Sequence, residues 1–261
     1  MTKIIAIANQ KGGVGKTTTC VNLAASLAAT QRRILLIDMD PQGNATMGCG
    51  IDKMNLEYST CDVLLGKESA TDVIISTSEG NFAVLPANEE LTIAEVRLLQ
   101  EIGREMRLRQ ALVPIRDLYD FILIDCPPSL NMLTVNALTA ADGVLIPMQC
   151  EYYALEGLSS LLNTVEQIKT SVNANLEVFG LLRTMVDSRI NLSNEVSAQL
   201  VDYFDDKVFR TVIPRNVRLA EAPSFGRPVL FHDRLSRGAL AYLALAGEVL
   251  RREEERQVLE Q

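Results

Sequence analysis

The 261-residue sequence predicts an α/β fold, a single domain built on a mainly parallel sheet with helices on both faces. Short β-branched runs alternate with longer stretches of helical spacing. The runs are apolar almost throughout, as strands covered on both faces must be. No internal repeat, low-complexity tract or Gly/Ser linker divides the chain over residues 1–261.

The expected strands are Lys3–Ala8, Arg33–Ile37, Phe82–Leu85, Phe121–Ile124, Gly143–Pro147, Val178–Leu182 and Val208–Ile213. Leu158, Leu161, Leu162, Val165 and Ile168 recur at helical spacing within 154–170, as do Leu240, Leu243, Val249 and Leu250 within 235–252. The tail, 251–261, carries three Arg against four Glu and reads as the helical, solvated end of the last helix. An apolar share of 48% supplies a core and excludes wholesale disorder. The longest weakly polar stretch, Gly238–Gly247, is far shorter than the ~18 to 20 residues a membrane span needs. Met1–Gln10 lacks a signal-peptide pattern. Five cysteines, Cys20, Cys49, Cys61, Cys126 and Cys150, form no CxxC and leave an odd count, which suits reduced thiols in a cytoplasmic protein. The net charge of −8 argues, taken as a total, against nucleic acid.

Directly after the first strand stands Gln10-Lys11-Gly12-Gly13-Val14-Gly15-Lys16-Thr17-Thr18, followed by a helical run through Ala29. Glycines let backbone N–H groups close around phosphate oxygens. Lys16 can reach the β- and γ-phosphates, and Thr17 can offer its hydroxyl to Mg²⁺ at a helix N-terminus that favours anions. The strict phosphate-loop pattern has Gly where this chain has Gln10, and Lys11 is an additional lysine. Acids close the second strand, in Asp38-Met39-Asp40-Pro41-Gln42-Gly43-Asn44, and the Phe121 strand, in Asp125-Cys126-Pro127-Pro128-Ser129. Ligands bind at the carboxyl edge of an open parallel sheet, so Asp38, Asp40 and Asp125 are expected to converge near the phosphates. Asp125 fits the acid that holds Mg²⁺, Asp40 is placed to orient the attacking water, and Asp38 to support the loop or the metal. Each also fits an ordinary turn or capping aspartate.

KGGVGKTT resembles the deviant Walker A loop of the ParA/MinD group of P-loop ATPases, DMDPQGN their switch I, and DCPPSL their switch II. The later run Ile213-Pro214-Arg215-Asn216-Val217-Arg218-Leu219-Ala220-Glu221-Ala222-Pro223-Ser224 is similar to that of short, Soj-like chromosomal ParA proteins, and the likeness spans roughly residues 3–250. The resemblance implies a P-loop NTPase domain using ATP and Mg²⁺. It implies that Lys11 reaches the phosphates of the other subunit in a nucleotide-sandwich homodimer, and that Met185, Pro214 and Asn216 contact adenine. By themselves these three residues read equally well as strand-end loops.

Three functions share such a loop. A DNA-segregation ATPase dimerises on ATP, binds DNA non-specifically and is released by a ParB/Spo0J-like centromere-binding partner. A MinD-like ATPase positions itself on a membrane, and an iron–sulfur reductase holds a cluster between subunits. The mixed tail Arg251-Arg252-Glu253-Glu254-Glu255-Arg256 disfavours the membrane reading. Cys126 is followed by Pro-Pro and finds no Gly-Cys-Gly-like companion between Phe82 and Arg116, which disfavours the cluster. Charge is unevenly spread: Lys207–Arg237 holds seven basic residues and two acids, net +5, leaving −13 for the rest. That segment could meet phosphates in a salt-sensitive, sequence-independent way. By the resemblance Arg189 and Arg218 belong to a DNA surface, with Arg215 beside them. No helix-turn-helix precedes the first strand, so operator-specific binding is not expected. The expectation is a cytoplasmic, nucleoid-associated partition ATPase.

Overall fold

In the computed structural model, which describes residues 2–151, 154–187 and 189–259, the strands are β1 (Lys3–Ile7), β2 (Ile34–Asp38), β3 (Ile75–Ser76), β4 (Ala83–Leu85), β5 (Phe121–Asp125), β6 (Gly143–Gln149) and β7 (Glu177–Thr184). They form one sheet in the order β3-β4-β2-β5-β1-β6-β7, parallel except for β3, which runs antiparallel to β4.

Successive side chains of a strand point to opposite faces, and both faces of this sheet are covered. On β1, Ile4 and Ala6 join Leu35, Ile37, Ile122 and Ile124 in one buried cluster, whereas Ile5 and Ile7 join Ile34, Leu36, Leu123 and Leu145 in the other. The first cluster is roofed by helices that include Leu91–Leu98, Met132–Ala140 and Ala154–Ser171. Lys16–Ala28 and Arg237–Leu259 cover the second, their packing fixed by fully buried Tyr242, whose hydroxyl meets Thr19 Oγ1 at 3.1 Å. The tail is helical through Leu259, as its charge pattern suggests.

Val208–Ile213, expected as a strand, is not one. It stays tied to the β7 side by isolated bridges, Leu181 to Val208 and Val186 to Pro214, and by single backbone bonds from Phe209 N to the Leu181 carbonyl (2.9 Å) and from Ile213 N to the Arg183 carbonyl (2.9 Å). Side chains replace the missing ladder: Glu248 accepts from the N–H groups of Arg210 (2.8 Å) and Thr211 (2.9 Å), and Arg252 donates to the Val208 carbonyl (3.0 Å). With the Arg210 and Thr211 N–H groups committed to Glu248 between the Phe209 and Ile213 bonds to β7, the pairing is interrupted and no continuous strand forms. β3 has no counterpart in the sequence reading, being two exposed residues at the sheet's edge.

This strand order also places the site. The chain leaves β1 for β2 on one side and later crosses from β5 to β6 on the other, so the loops after β1 and β5 diverge above the centre of the sheet. Such a reversal opens a crevice at the strands' carboxyl ends.

Candidate nucleotide site

The loop after β1 is held open by its glycines and by anchors on β6 and β7. Gly13 (φ +74°) and Gly15 (φ +89°) adopt left-handed backbone that side chains rarely tolerate. Asn9 accepts from the Lys11 N–H (3.0 Å) and donates to the Pro147 carbonyl on β6 (2.8 Å). The Thr184 hydroxyl, ending β7, donates to the Val14 carbonyl (2.8 Å). Gly15 then starts the helix Lys16–Ala28, whose first turn has neither a side-chain cap nor an acid. Its free N–H groups and dipole suit a phosphate, and Thr17 and Thr18 stand in that first turn.

Lys16 is 7% exposed, its ammonium donating to the Lys11 carbonyl at 3.2 Å. Burial lowers its pKa, and the charges of Asp125, Cys126 and Asp40 oppose that shift. Lys11 does not enter the same site. It stands at the mouth, ion-paired with Glu151 at 2.6 Å, with both side chains about half exposed.

Asp38 and Asp125 are register partners at the ends of β2 and β5, so two fully buried carboxyls lie side by side. Burial pushes both upward, Asp38 to about 6, and the Asp38 charge raises Asp125 further. Their surroundings differ. Asp38 accepts from Thr46 N (2.8 Å), Thr46 Oγ1 (2.7 Å) and Asp40 N (3.1 Å). Both oxygens of Asp125 are buried with no hydrogen-bond partner, although the nearby Thr17 hydroxyl and Lys16 charge draw its pKa down. Buried acceptors without donors are rare and call for a cation or water. Asp38, Asp40 and Asp125 lie within electrostatic reach of one another, and among the described residues no group of three or more His, Cys, Asp or Glu is arranged as a metal cluster. Asp38 spends its carboxylate on the loop after β2, whereas Asp125, with the Thr17 hydroxyl nearby, keeps both oxygens without a partner.

Asp40 is fixed by a tight turn. Its carboxylate accepts from Gln42 N (2.9 Å) and its carbonyl from Gly43 N (2.9 Å). Gly43 has φ +58°, and a Cβ there would lie 2.6 Å from the Ala87 carbonyl oxygen, so only glycine fits. After β5, Asn131 accepts from the N–H groups of Leu133 and Thr134 (both 3.1 Å), starting the helix Met132–Ala140.

Met185, directly after β7, adopts φ +51°, and the next residue, Val186, bridges to Pro214, which brings Met185 and Pro214 onto one rim. Asn216 caps the short helix Val217–Glu221, its side-chain oxygen accepting from Arg218 N (3.1 Å). The arginines are exposed but engaged. Arg189 is 87% exposed and pairs with Asp187 at 2.6 Å; Arg218 pairs with Glu221 (2.8 Å) and Asp233 (3.2 Å). The Arg215 charge, with that of Arg189, helps hold Asp187 well below the usual carboxylate range. The two acids already counted in the +5 balance of Lys207–Arg237, Glu221 and Asp233, both sit on Arg218. Glu79, from outside the segment, pairs with Arg227 at 2.8 Å.

Sequence reading missed Asn9, Thr46, Glu151, Thr184 and Glu248. Only Asn9, beside the loop, lay where inspection could have found it; the others act through contacts distant in sequence. All five cysteines are buried and free. No helix among the described residues is long and apolar enough to cross a membrane.

A family model described as an AAA domain matches residues 2–178. The chain is 55% identical over 249 residues to the sporulation initiation inhibitor protein Soj of Bacillus subtilis, covering 95% of this chain and 98% of that protein. It is 51% identical over 257 residues to the chromosome partitioning protein ParA of Caulobacter vibrioides, covering 98% and 96%. Among solved structures, a Mycobacterium smegmatis protein named cobyrinic acid a,c-diamide synthase, with bound ADP and magnesium, superposes with a TM-score of 0.86 at 38% identity, covering 97% and 96% of the two chains.

Proposed function

The chain belongs to the Soj/ParA family of partitioning P-loop ATPases, and we propose that it segregates DNA by an ATP-driven cycle of dimerisation, non-specific DNA binding and partner-stimulated hydrolysis. One observation carries the reading. Buried Lys16 and donor-free Asp125 make a phosphate and metal site inside one subunit, while Lys11 of the same loop stands outside it at the exposed mouth. A second lysine outside the pocket supports a role toward another subunit.

ATP with Mg²⁺ supplies the transferable phosphoryl group and a Lewis acid that neutralises developing charge. Lys16 gives up the Lys11 carbonyl for the phosphates, and the N–H groups of Gly12–Thr18 cradle them. Asp125 and Thr17 hold the metal, with Asp38 fixing the loop that carries Asp40. Asp40 orients the attacking water. Lys11 of the second subunit brings positive charge to the transferring group, as an arginine finger does. Met185, Pro214 and Asn216 flank the base. Closing the dimer sets Arg189, Arg215 and Arg218 of both subunits on one surface, doubling the phosphate contacts. A ParB/Spo0J-like centromere-binding protein completes the site and speeds hydrolysis, which reopens the dimer.

DNA binding measured with ATP, ADP and no nucleotide across a salt series, with anionic liposomes as competitor, tests this reading. The expected result is salt-sensitive binding that requires ATP and persists in Asp40→Ala. Preference for liposomes would select a MinD-like membrane ATPase, and neither surface binding would point to a metabolic ATPase such as the amide-forming one the mycobacterial neighbour is named for.

A further inference from the structure

The loop has Gln10 where the strict phosphate-loop pattern has Gly, and Lys11 is an additional lysine; both side chains reach the chain beyond β6. Gln10 Nε2 donates to Ser160 Oγ, on the helix Ala154–Ser171, at 3.1 Å. Lys11 Nζ meets Glu151 Oε2, just beyond β6, at 2.6 Å. The Lys11 carbonyl in turn accepts from Lys16 Nζ at 3.2 Å, so the two lysines are joined through one residue. Nothing in phosphate binding requires these links. A glycine at position 10 could not make the first, and without Lys11 the second would not exist.

We propose that Gln10 and Lys11 tether the mouth of the loop to the segment after β6, and that Glu151 is a positioning residue holding Lys11 in its own subunit until ATP and a second subunit claim it. This rests on the reading that Lys11 acts across a dimer. The pair suits a reversible hold: both side chains are about half exposed, and ion pairs of that kind are weak enough for phosphate groups to displace. When Lys16 leaves the Lys11 carbonyl for a phosphate, the mouth loses one of its ties, which links nucleotide binding to release of Lys11. A residue of this kind acts against assembly, so removing it should favour the dimer.

Two measurements test the tether. In nucleotide-free protein, amide hydrogen exchange of the peptide spanning residues 9–17 should quicken in Glu151→Gln and equally in Lys11→Gln, without further gain in the double variant, and less in Ser160→Ala. In the Asp40→Ala background with ATP and Mg²⁺, sedimentation should show Glu151→Gln dimerising at about two- to fivefold lower protein concentration, the scale of an exposed ion pair. ATP affinity should stay unchanged, Glu151→Asp should return toward the parent, and high salt should erase the difference. Unchanged exchange in Glu151→Gln, or a dimer no tighter than the parent's, would overturn the proposal. If the Asp40→Ala parent stays monomeric with ATP, the sandwich dimer itself fails, and the exchange result alone decides whether the tether exists.

Discussion

The phosphate loop and the arginines proposed to meet DNA both carry positive charge, and they hold it in opposite ways. At the loop, Lys16 and Asp125 are buried, Asp125 has no hydrogen-bond donor, and the supports are backbone and strand ends. At the surface, Arg189 and Arg218 are exposed, and each already holds an acid. The buried site is therefore primed by unsatisfied groups, so a ligand gains the full strength of low-dielectric electrostatics. The exposed one is neutralised in advance and must exchange partners, which makes its binding weak per contact, salt-dependent and reliant on doubling. The first suits a site that must hold one nucleotide, the second a surface that must let go.

The largest effect should come from breaking the buried side. Lys16→Ala removes the ammonium that faces Asp125 and should cost more than about 100-fold in ATP affinity by calorimetry, leaving DNA binding without ATP dependence. The acid pair gives a stability signature. Asp38 is raised from 3.8 to about 6, so the folded state binds the extra proton between those values and stability falls as pH rises through them. Metal-free protein should lose about 2 to 3 kcal/mol between pH ~4 and ~6 from this carboxyl, and Asp38→Asn should flatten that part of the denaturation profile. Gly43→Ala forces a Cβ against the Ala87 carbonyl at positive φ and should cost about 2 kcal/mol of stability in thermal melts, with slower hydrolysis because Asp40 shifts.

The exposed side should respond more gently and with salt. Arg218→Glu should weaken ATP-dependent DNA binding about tenfold at low salt while sparing ATP affinity, the loss shrinking as salt rises. Glu221→Gln sharpens the contrast from the other direction. Freeing Arg218 from one of its two acids should tighten DNA binding about two- to threefold in a filter-binding or polarisation titration. No change in either variant would place the DNA surface elsewhere.

Much of this molecule is legible in its sequence because the signals are local. Apolar runs such as Phe121–Asp125 mark strands covered on both faces, and a glycine loop between strand and helix marks a phosphate site, since both depend on neighbouring residues alone. Val208–Ile213 misled because it is as apolar and β-branched as a strand and makes single bonds to β7, while Glu248 and Arg252, from a helix some forty residues on, take the Arg210 and Thr211 N–H groups and the Val208 carbonyl. Asp38 and Asp125 read alike as acids at strand ends. Their difference arises from Thr46, which folds back onto one and not the other.

The sequence by itself determined the α/β class, the loop, its two lysines and the uneven charge, because periodicity, glycine placement and residue type are properties of the chain. Tertiary structure decided which acid is left without a hydrogen-bond partner, which arginines are already paired and where Lys11 is held. Those depend on burial and on partners brought within about 3 Å, and neither is encoded in any one stretch of residues.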